Sequence, residues 1–145
     1  SKGMIAKARL HVQAANVTFC VTDITKKWTI EDQSIDLVVC NLVLEHIEDL
    51  GFIFSEVARV LVEGGKFFVC ELHPFKQYQG KQANFQREDE MTDVQAFMHH
   101  ISDFLDAANV NGLRLSKLDE WWHESDQGKP PRLVSFVFEK CINSP

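Results

Sequence analysis

The chain has 145 residues, 45% of them hydrophobic and 25% charged, a composition that suits one soluble globular domain. Its net charge of −6 and pI near 5.4 argue against a nucleic-acid footprint, which needs a clustered basic face. No apolar run approaches a membrane span and no signal-peptide pattern opens the sequence, so a cytoplasmic protein is expected.

Ser1 to Gln13 reads as a helix, with Met4, Ile5, Ala8 and Val12 along one stripe. Val17 to Val21 reads as a short buried strand, followed by Asp23-Ile24 and the polar turn Glu31-Asp32-Gln33-Ser34. Ile35 to Cys40 is apolar apart from Asp36, the pattern of a strand buried on both faces. Ile47, Leu50, Phe54, Val57 and Leu61 then recur at helical spacing, with Glu48 and Asp49 in the first turn and Gly64-Gly65 as the expected helix stop. Phe67 to Leu72 is a second buried strand. Strand, helix and strand at this length make a βαβ unit, whose strands should be parallel. His73-Pro74-Phe75 breaks the pattern, and the polar stretch from Lys76 to Glu90 has the length of a loop that is either functional or disordered. Thr92 and Gln95 have capping-box spacing, and Val94, Phe97, Met98, Ile101, Leu105 and Ala108 continue a helical stripe towards a stop at Gly112. Leu113 to Leu118 and Leu133 to Cys141 read as strands whose connection is too short for a helix, hence as an antiparallel pair. The alternation of strands and helices makes the fold class α/β, in a single domain over 1–145.

Ligands in open α/β sheets sit at the carboxyl ends of the strands. The first such end is Asp23-Ile24, where Asp23 reads either as a turn residue or as a ligand acceptor. The second is Asn41-Leu42-Val43, running on into Glu45-His46. The third is Glu71-Leu72-His73-Pro74, where His73 reads as a base or as a plain loop histidine. His46, His73, Phe75 and Tyr78 are candidate substrate contacts. A metal site at His99-His100 would need a third ligand from elsewhere, so no metal is expected and one exposed and one packed histidine is the simpler reading. The four cysteines, Cys20, Cys40, Cys70 and Cys141, form no Cys-x-x-Cys pair and are expected to be buried beside strands.

Asp-Leu-Val-Val-Cys-Asn-Leu-Val-Leu-Glu-His-Ile (36–47), followed by Glu-Val-Ala-Arg-Val-Leu-Val-Glu-Gly-Gly-Lys-Phe (56–67), resembles the second half of a class I S-adenosylmethionine-dependent methyltransferase of the small-molecule type. The resemblance implies a partial Rossmann-like methyltransferase sheet, mostly parallel with an antiparallel C-terminal strand. It implies S-adenosylmethionine as cofactor. Asp23 would accept a hydrogen bond from the adenine amino group, and Ile24 would pack on the ring. The backbone of Asn41, Leu42 and Val43 would pass the methionine end. Met4 lies in a segment matching the one just after the family's second strand, so the ribose-binding acid and the glycine-rich loop would lie ahead of Ser1. The activity implied is methyl transfer to a small-molecule acceptor, a reaction governed by alignment of nucleophile and methyl. Two alternatives stand beside it: an inactive methyltransferase-like fragment with an assembly or binding role, and another Rossmann-like nucleotide-cofactor enzyme. Neither nucleic acid nor membrane is expected as a partner. In the family sheet the neighbour of Ile35 to Cys40 is a strand that would precede Ser1. Either Val17 to Val21 moves in beside that edge or a second copy covers it, and a homodimer is expected.

Overall fold

The computed structural model describes residues 2–78, 96–126 and 128–142. Four strands form one sheet in the order β1-β2-β4-β3: β1 Ile35–Asn41, β2 Leu61–Leu72, β3 Leu113–Trp121 and β4 Leu133–Lys140. The helices are α1 Lys2–His11, α2 Leu50–Val60, α3 Pro74–Tyr78 and α4 Ile101–Val110. No helix among the described residues is long and apolar enough to cross a membrane.

β1 and β2 are parallel, with Leu37 beside Lys66, Val39 beside Phe68 and Asn41 beside Cys70. β4 runs antiparallel to β2 and to β3, setting Phe136 between Val69 and Leu118. β1, β2 and β3 therefore point the same way, and their carboxyl ends share one end of the sheet. The sheet has one parallel pair and two antiparallel pairs, so the expectation of a mostly parallel sheet is corrected. Of the two outcomes left open for the β1 edge, the one in which Val17–Val21 moves in beside Ile35–Cys40 does not occur. Val17–Val21 forms no strand and is exposed apart from half-buried Phe19. A strand is a pairing, not a composition, and none of the four strands takes this segment as a neighbour.

α2 forms because its apolar residues recur on one face and Asp49 caps it, accepting the Phe52 N–H at 3.0 Å. The helix starts later than its periodicity suggested: Leu44–His46 is a separate 3₁₀ turn, and Ile47 is extended. It also stops earlier, at Leu61, so Gly64-Gly65 is not its terminator. The two glycines lie inside β2, where the register jumps from Ile35 beside Leu61 to Leu37 beside Lys66. Gly64 has φ +73°, and a Cβ on Gly65 would sit 2.8 Å from the Val62 carbonyl oxygen and 3.3 Å from that of Asp36. α4 begins at Ile101, with the His100 N–H bonded to Asp103 Oδ2 at 2.8 Å. Residues 96–100 are not helical, which shortens the expected helix; Thr92, Val94 and Gln95 lie outside the described residues, as do positions 79–90 of the expected loop.

The core lies where α2 and α4 cover one face of the sheet. Phe54 packs edge-on against Phe67 and Phe138, with ring centroids 5.2 and 5.5 Å apart, and Phe104 stacks on Phe136 at 5.1 Å. Phe67 and Val69 of β2 stand opposite Phe138 and Phe136 of β4, so period-2 alternation delivers all four to the same face. Each such side chain contributes about 1.5–3 kcal/mol on burial. No residue of α1 is buried. On the other face of the sheet Leu37 and Val39 remain 56% and 60% exposed.

The loop 24–34 is tied to α2 by one guanidinium. Arg59 Nε and Nη2 donate to Glu56 Oε1 and Oε2 at 2.9 and 2.8 Å. Its Nη1 also donates to the Ile30 carbonyl at 2.8 Å, and Nη2 to the Trp28 carbonyl at 3.1 Å. The Trp28 N–H returns to Glu56 Oε2 at 2.6 Å.

Candidate functional site at the carboxyl end of the sheet

The chain leaves β1 through an unusual turn. Leu42 adopts φ +53°, a left-handed conformation that a branched apolar residue takes only when its surroundings impose it. Its N–H donates to the Cys70 carbonyl at 2.9 Å. The next two amides, Val43 and Leu44, both donate to Glu71 Oε1 at 3.0 Å. Glu71 thus comes from β2 and caps the 3₁₀ turn Leu44–His46. The segment after position 95 lies against the same turn, with the Phe97 N–H on the Glu45 carbonyl at 2.7 Å and the His99 ring Nε2 on the Ile47 carbonyl at 2.7 Å.

Two buried carboxyls meet here. Glu45 and Glu71 are 5% and 2% exposed, and Oε2 of each has no hydrogen-bond partner among the described residues. Burial pushes the Glu71 carboxyl above the usual range and the Glu45 charge adds to this, against backbone N–H groups of 43–45 that pull it down. Burial also pushes the Cys40 thiol up to about 12 and raises that of Cys70, with the Glu71 charge contributing to both. These two cysteines lie in strands as expected, whereas Cys20 and Cys141 are exposed.

His73 follows β2 and is buried. Its N–H donates to the Arg132 carbonyl at 2.8 Å, and its ring spans Glu120 Oε1 at 2.9 Å through Nε2 and the Phe75 N–H at 3.1 Å through Nδ1. Nδ1 must accept from that amide, so Nε2 carries the proton donated to Glu120. Tyr78 on α3 stacks on His100, its hydroxyl 2.6 Å from His100 Nδ1, and Phe75, three residues earlier in the same helix, is exposed. His46 is half-buried, its Nε2 3.7 Å from Glu45 Oε1.

The structure therefore brings Asn41, Leu42, Val43, His46 and His73 to one end of the sheet. Asp23 and Ile24 are differently placed. The Asp23 carboxylate accepts the Thr25 N–H at 3.1 Å and hydroxyl at 2.7 Å, and lies 3.5 Å from Lys26 Nζ. The Thr25 bonds hold its pKa below the ordinary value. Ile24 packs against the core, and its carbonyl takes the Trp28 indole N–H at 3.0 Å. Met4 is exposed on α1. Glu71 was visible as an acid inside an apolar strand, yet nothing local showed that it reaches Val43 and Leu44. Glu120, the partner of His73, carried no signal. A shallow hollow of about 370 Å³ opens beyond the end of β3, lined by Trp122, His123 and Glu124.

Residues 1–69 match the family model of a methyltransferase domain. Over that segment, just under half of the chain, the sequence is similar to a methyltransferase domain. The fold of such methyltransferases extends over the remainder of the chain. A protein of Listeria monocytogenes assigned as an S-adenosylmethionine-dependent methyltransferase superposes with TM-score 0.84 at 18% identity, covering 98% of this chain and 78% of that one. An S-adenosylmethionine-dependent methyltransferase of Mesorhizobium loti gives TM-score 0.79 at 19% identity, over 96% and 77%. The geranyl diphosphate C-methyltransferase of Streptomyces coelicolor, solved with Mg²⁺, geranyl diphosphate and S-adenosyl-L-homocysteine, gives TM-score 0.59 at 15% identity, over 83% and 52%. No curated protein sequence matches the chain. At these identities the superpositions speak for the fold.

Proposed function

We propose that the chain takes part in methyl transfer from S-adenosylmethionine to a small-molecule acceptor. The carrying observation is the methyltransferase-domain match over residues 1–69, whose β1 ends in the turn held by Glu71. The residues suit the cofactor chemically. Asp23 is an exposed, ionised acceptor for an amino group, Ile24 offers an apolar side chain, and Asn41, Leu42 and Val43 present backbone. When bound, the cofactor supplies a methyl on a sulfonium. The chain's own part is to orient and to exclude water. His46, His73, Phe75 and Tyr78 are the proposed acceptor-side contacts; His73, with both ring nitrogens engaged, orients Phe75 and Glu120.

The test is calorimetric titration with S-adenosylmethionine, S-adenosylhomocysteine and NAD. Binding of the first two and not the third is expected. Asp23→Ala should weaken S-adenosylhomocysteine by about tenfold or more, the loss of one charge-assisted hydrogen bond. Equal affinity of Asp23→Ala and the parent would remove Asp23 from the site, and a preference for NAD would overturn the reading.

A second reading, assembly rather than turnover, has its own observation. β3 closes its side of the sheet with a bulge at Ser116 and charged Lys117 and Asp119, devices that discourage pairing. At the opposite edge β1 carries a single charge, Asp36, and an irregular register only at its start, while Leu37 and Val39 are exposed, as are Val17 and Val21. A second copy of the chain is the proposed occupant, in a homodimer symmetric about β1.

A further inference from the structure

We infer that Glu71 is the positioning residue for the cofactor-facing backbone of Asn41–Leu44, holding the left-handed turn at Leu42 from the neighbouring strand. The inference rests on the reading of this end as the cofactor side. β2 grips the turn at two successive positions. The Cys70 carbonyl takes the Leu42 N–H, and the Glu71 carboxyl takes the Val43 and Leu44 N–H groups. Without Glu71 those two amides would face a buried apolar strand end with no acceptor, and only the Cys70 carbonyl would hold Leu42 at φ +53° against its own preference.

The environment argues for a task beyond packing. Glu71 is 2% exposed, its Oε2 has no partner among the described residues, and Glu45, a second buried acid, stands nearby. A leucine would fill this place in an apolar strand without desolvating a carboxyl. The acid is tolerated because Oε1 performs what no apolar side chain can. Oε1 can accept the two N–H groups whether the carboxyl is protonated or ionised, so the raised pKa does not disable it.

Two variants of the full chain separate this from a merely structural role. Glu71→Gln keeps an amide oxygen for the two N–H groups; Glu71→Leu removes it. Amide exchange followed by NMR reads Val43 and Leu44 directly, with Val69 and Phe136 in the core as reporters of global opening. Glu71→Leu should speed exchange at Val43 and Leu44 at least tenfold beyond any change at Val69 and Phe136, and weaken S-adenosylhomocysteine at least tenfold. Glu71→Gln should restore both. Should Glu71→Leu fail to fold, Glu71→Asp, one methylene too short, takes its place. Unchanged protection at 43 and 44, an equal acceleration in the core, or unchanged ligand affinity in Glu71→Leu would each overturn the inference. Absence of any binding by the unaltered chain would overturn the cofactor reading instead, and the exchange result would still decide whether Glu71 holds the turn.

Discussion

Arg59→Ala should be among the most damaging single changes away from the aromatic core. The guanidinium is 20% exposed and Glu56 9% in its side chain, so the pair is mostly withdrawn from water. Removing Arg59 leaves the Glu56 carboxylate with only the Trp28 N–H and leaves the carbonyls of Trp28 and Ile30 unbonded. Breaking a buried ion pair by deleting one partner costs about 3–5 kcal/mol. Partial exposure places the expected loss near the lower end, about 3 kcal/mol, or roughly 10 °C in Tm for a domain of this size. Asp32, whose side chain is 72% exposed, also meets Arg59, and Asp32→Ala should cost under about 1 kcal/mol. Acid supplies an independent check. Arg59 holds the Glu56 carboxyl at about 2, below its ordinary 4.5. A carboxyl whose folded pKa is depressed stabilises the native state above the unfolded value, and that stability is lost as pH falls from 4.5 towards 2. The difference corresponds to roughly 3 kcal/mol, which screening at the Asp32 rim lowers to about 2 kcal/mol. Urea unfolding of the parent and Arg59→Ala between pH 7 and 2.5 measures both. A loss under about 0.5 kcal/mol at pH 7, or an acid limb as steep in Arg59→Ala as in the parent, would refute the reasoning.

Other outcomes follow from the same geometry. Gly65→Ala should destabilise by roughly 1–3 kcal/mol in urea unfolding, because its Cβ would meet backbone oxygens of Val62 and Asp36 that cannot swing aside; a neutral effect would mean that the bulge relaxes. Glu71 has the opposite linkage to Glu56. Its folded pKa is raised, so the native state holds the extra proton and stability falls as pH rises from the ordinary value near 4.5 through the higher folded one. Glu71→Gln should flatten that part of the urea-midpoint profile, and an unaltered profile would show that the carboxyl is not the source. Leu37→Lys with Val39→Lys should turn the dimer into monomers by light scattering, while a monomeric parent would dispose of the dimer itself.

The βαβ unit was legible because its signals are local. An apolar run, a helical stripe and a second apolar run occupy Ile35–Leu72; α2 and β2 bury the residues their periods select, whereas β1, expected to be buried on both faces, leaves Leu37 and Val39 exposed. The antiparallel ending was legible from the shortness of the connection between β3 and β4. Gly64-Gly65 misled because a positive φ serves a helix stop and a strand bulge equally well, and only the register against Ile35 and Leu37 decides between them. Val17–Val21 misled for a related reason. Its composition suits a strand, but a strand requires a neighbour, and the neighbour is a property of the sheet.

The site shows the same division more sharply. The positions of Asn41–Val43, His46 and His73 at one end of the sheet follow from topology, which the sequence pattern reached. Their chemistry depends on partners far along the chain: Glu71 is 28 residues beyond Val43, and Glu120 is 47 beyond His73. Each of these acids is defined by which backbone or ring it meets, and no spacing rule encodes that meeting. His73 illustrates the consequence. As a loop histidine it invited the role of a base, yet burial and two hydrogen bonds commit both of its nitrogens to holding Phe75 and Glu120. Glu71 moves the other way, from an oddity within an apolar strand to the group on which the turn depends. A residue's type bounded what it could do, and in both cases the sheet, by choosing its partner, decided what it does.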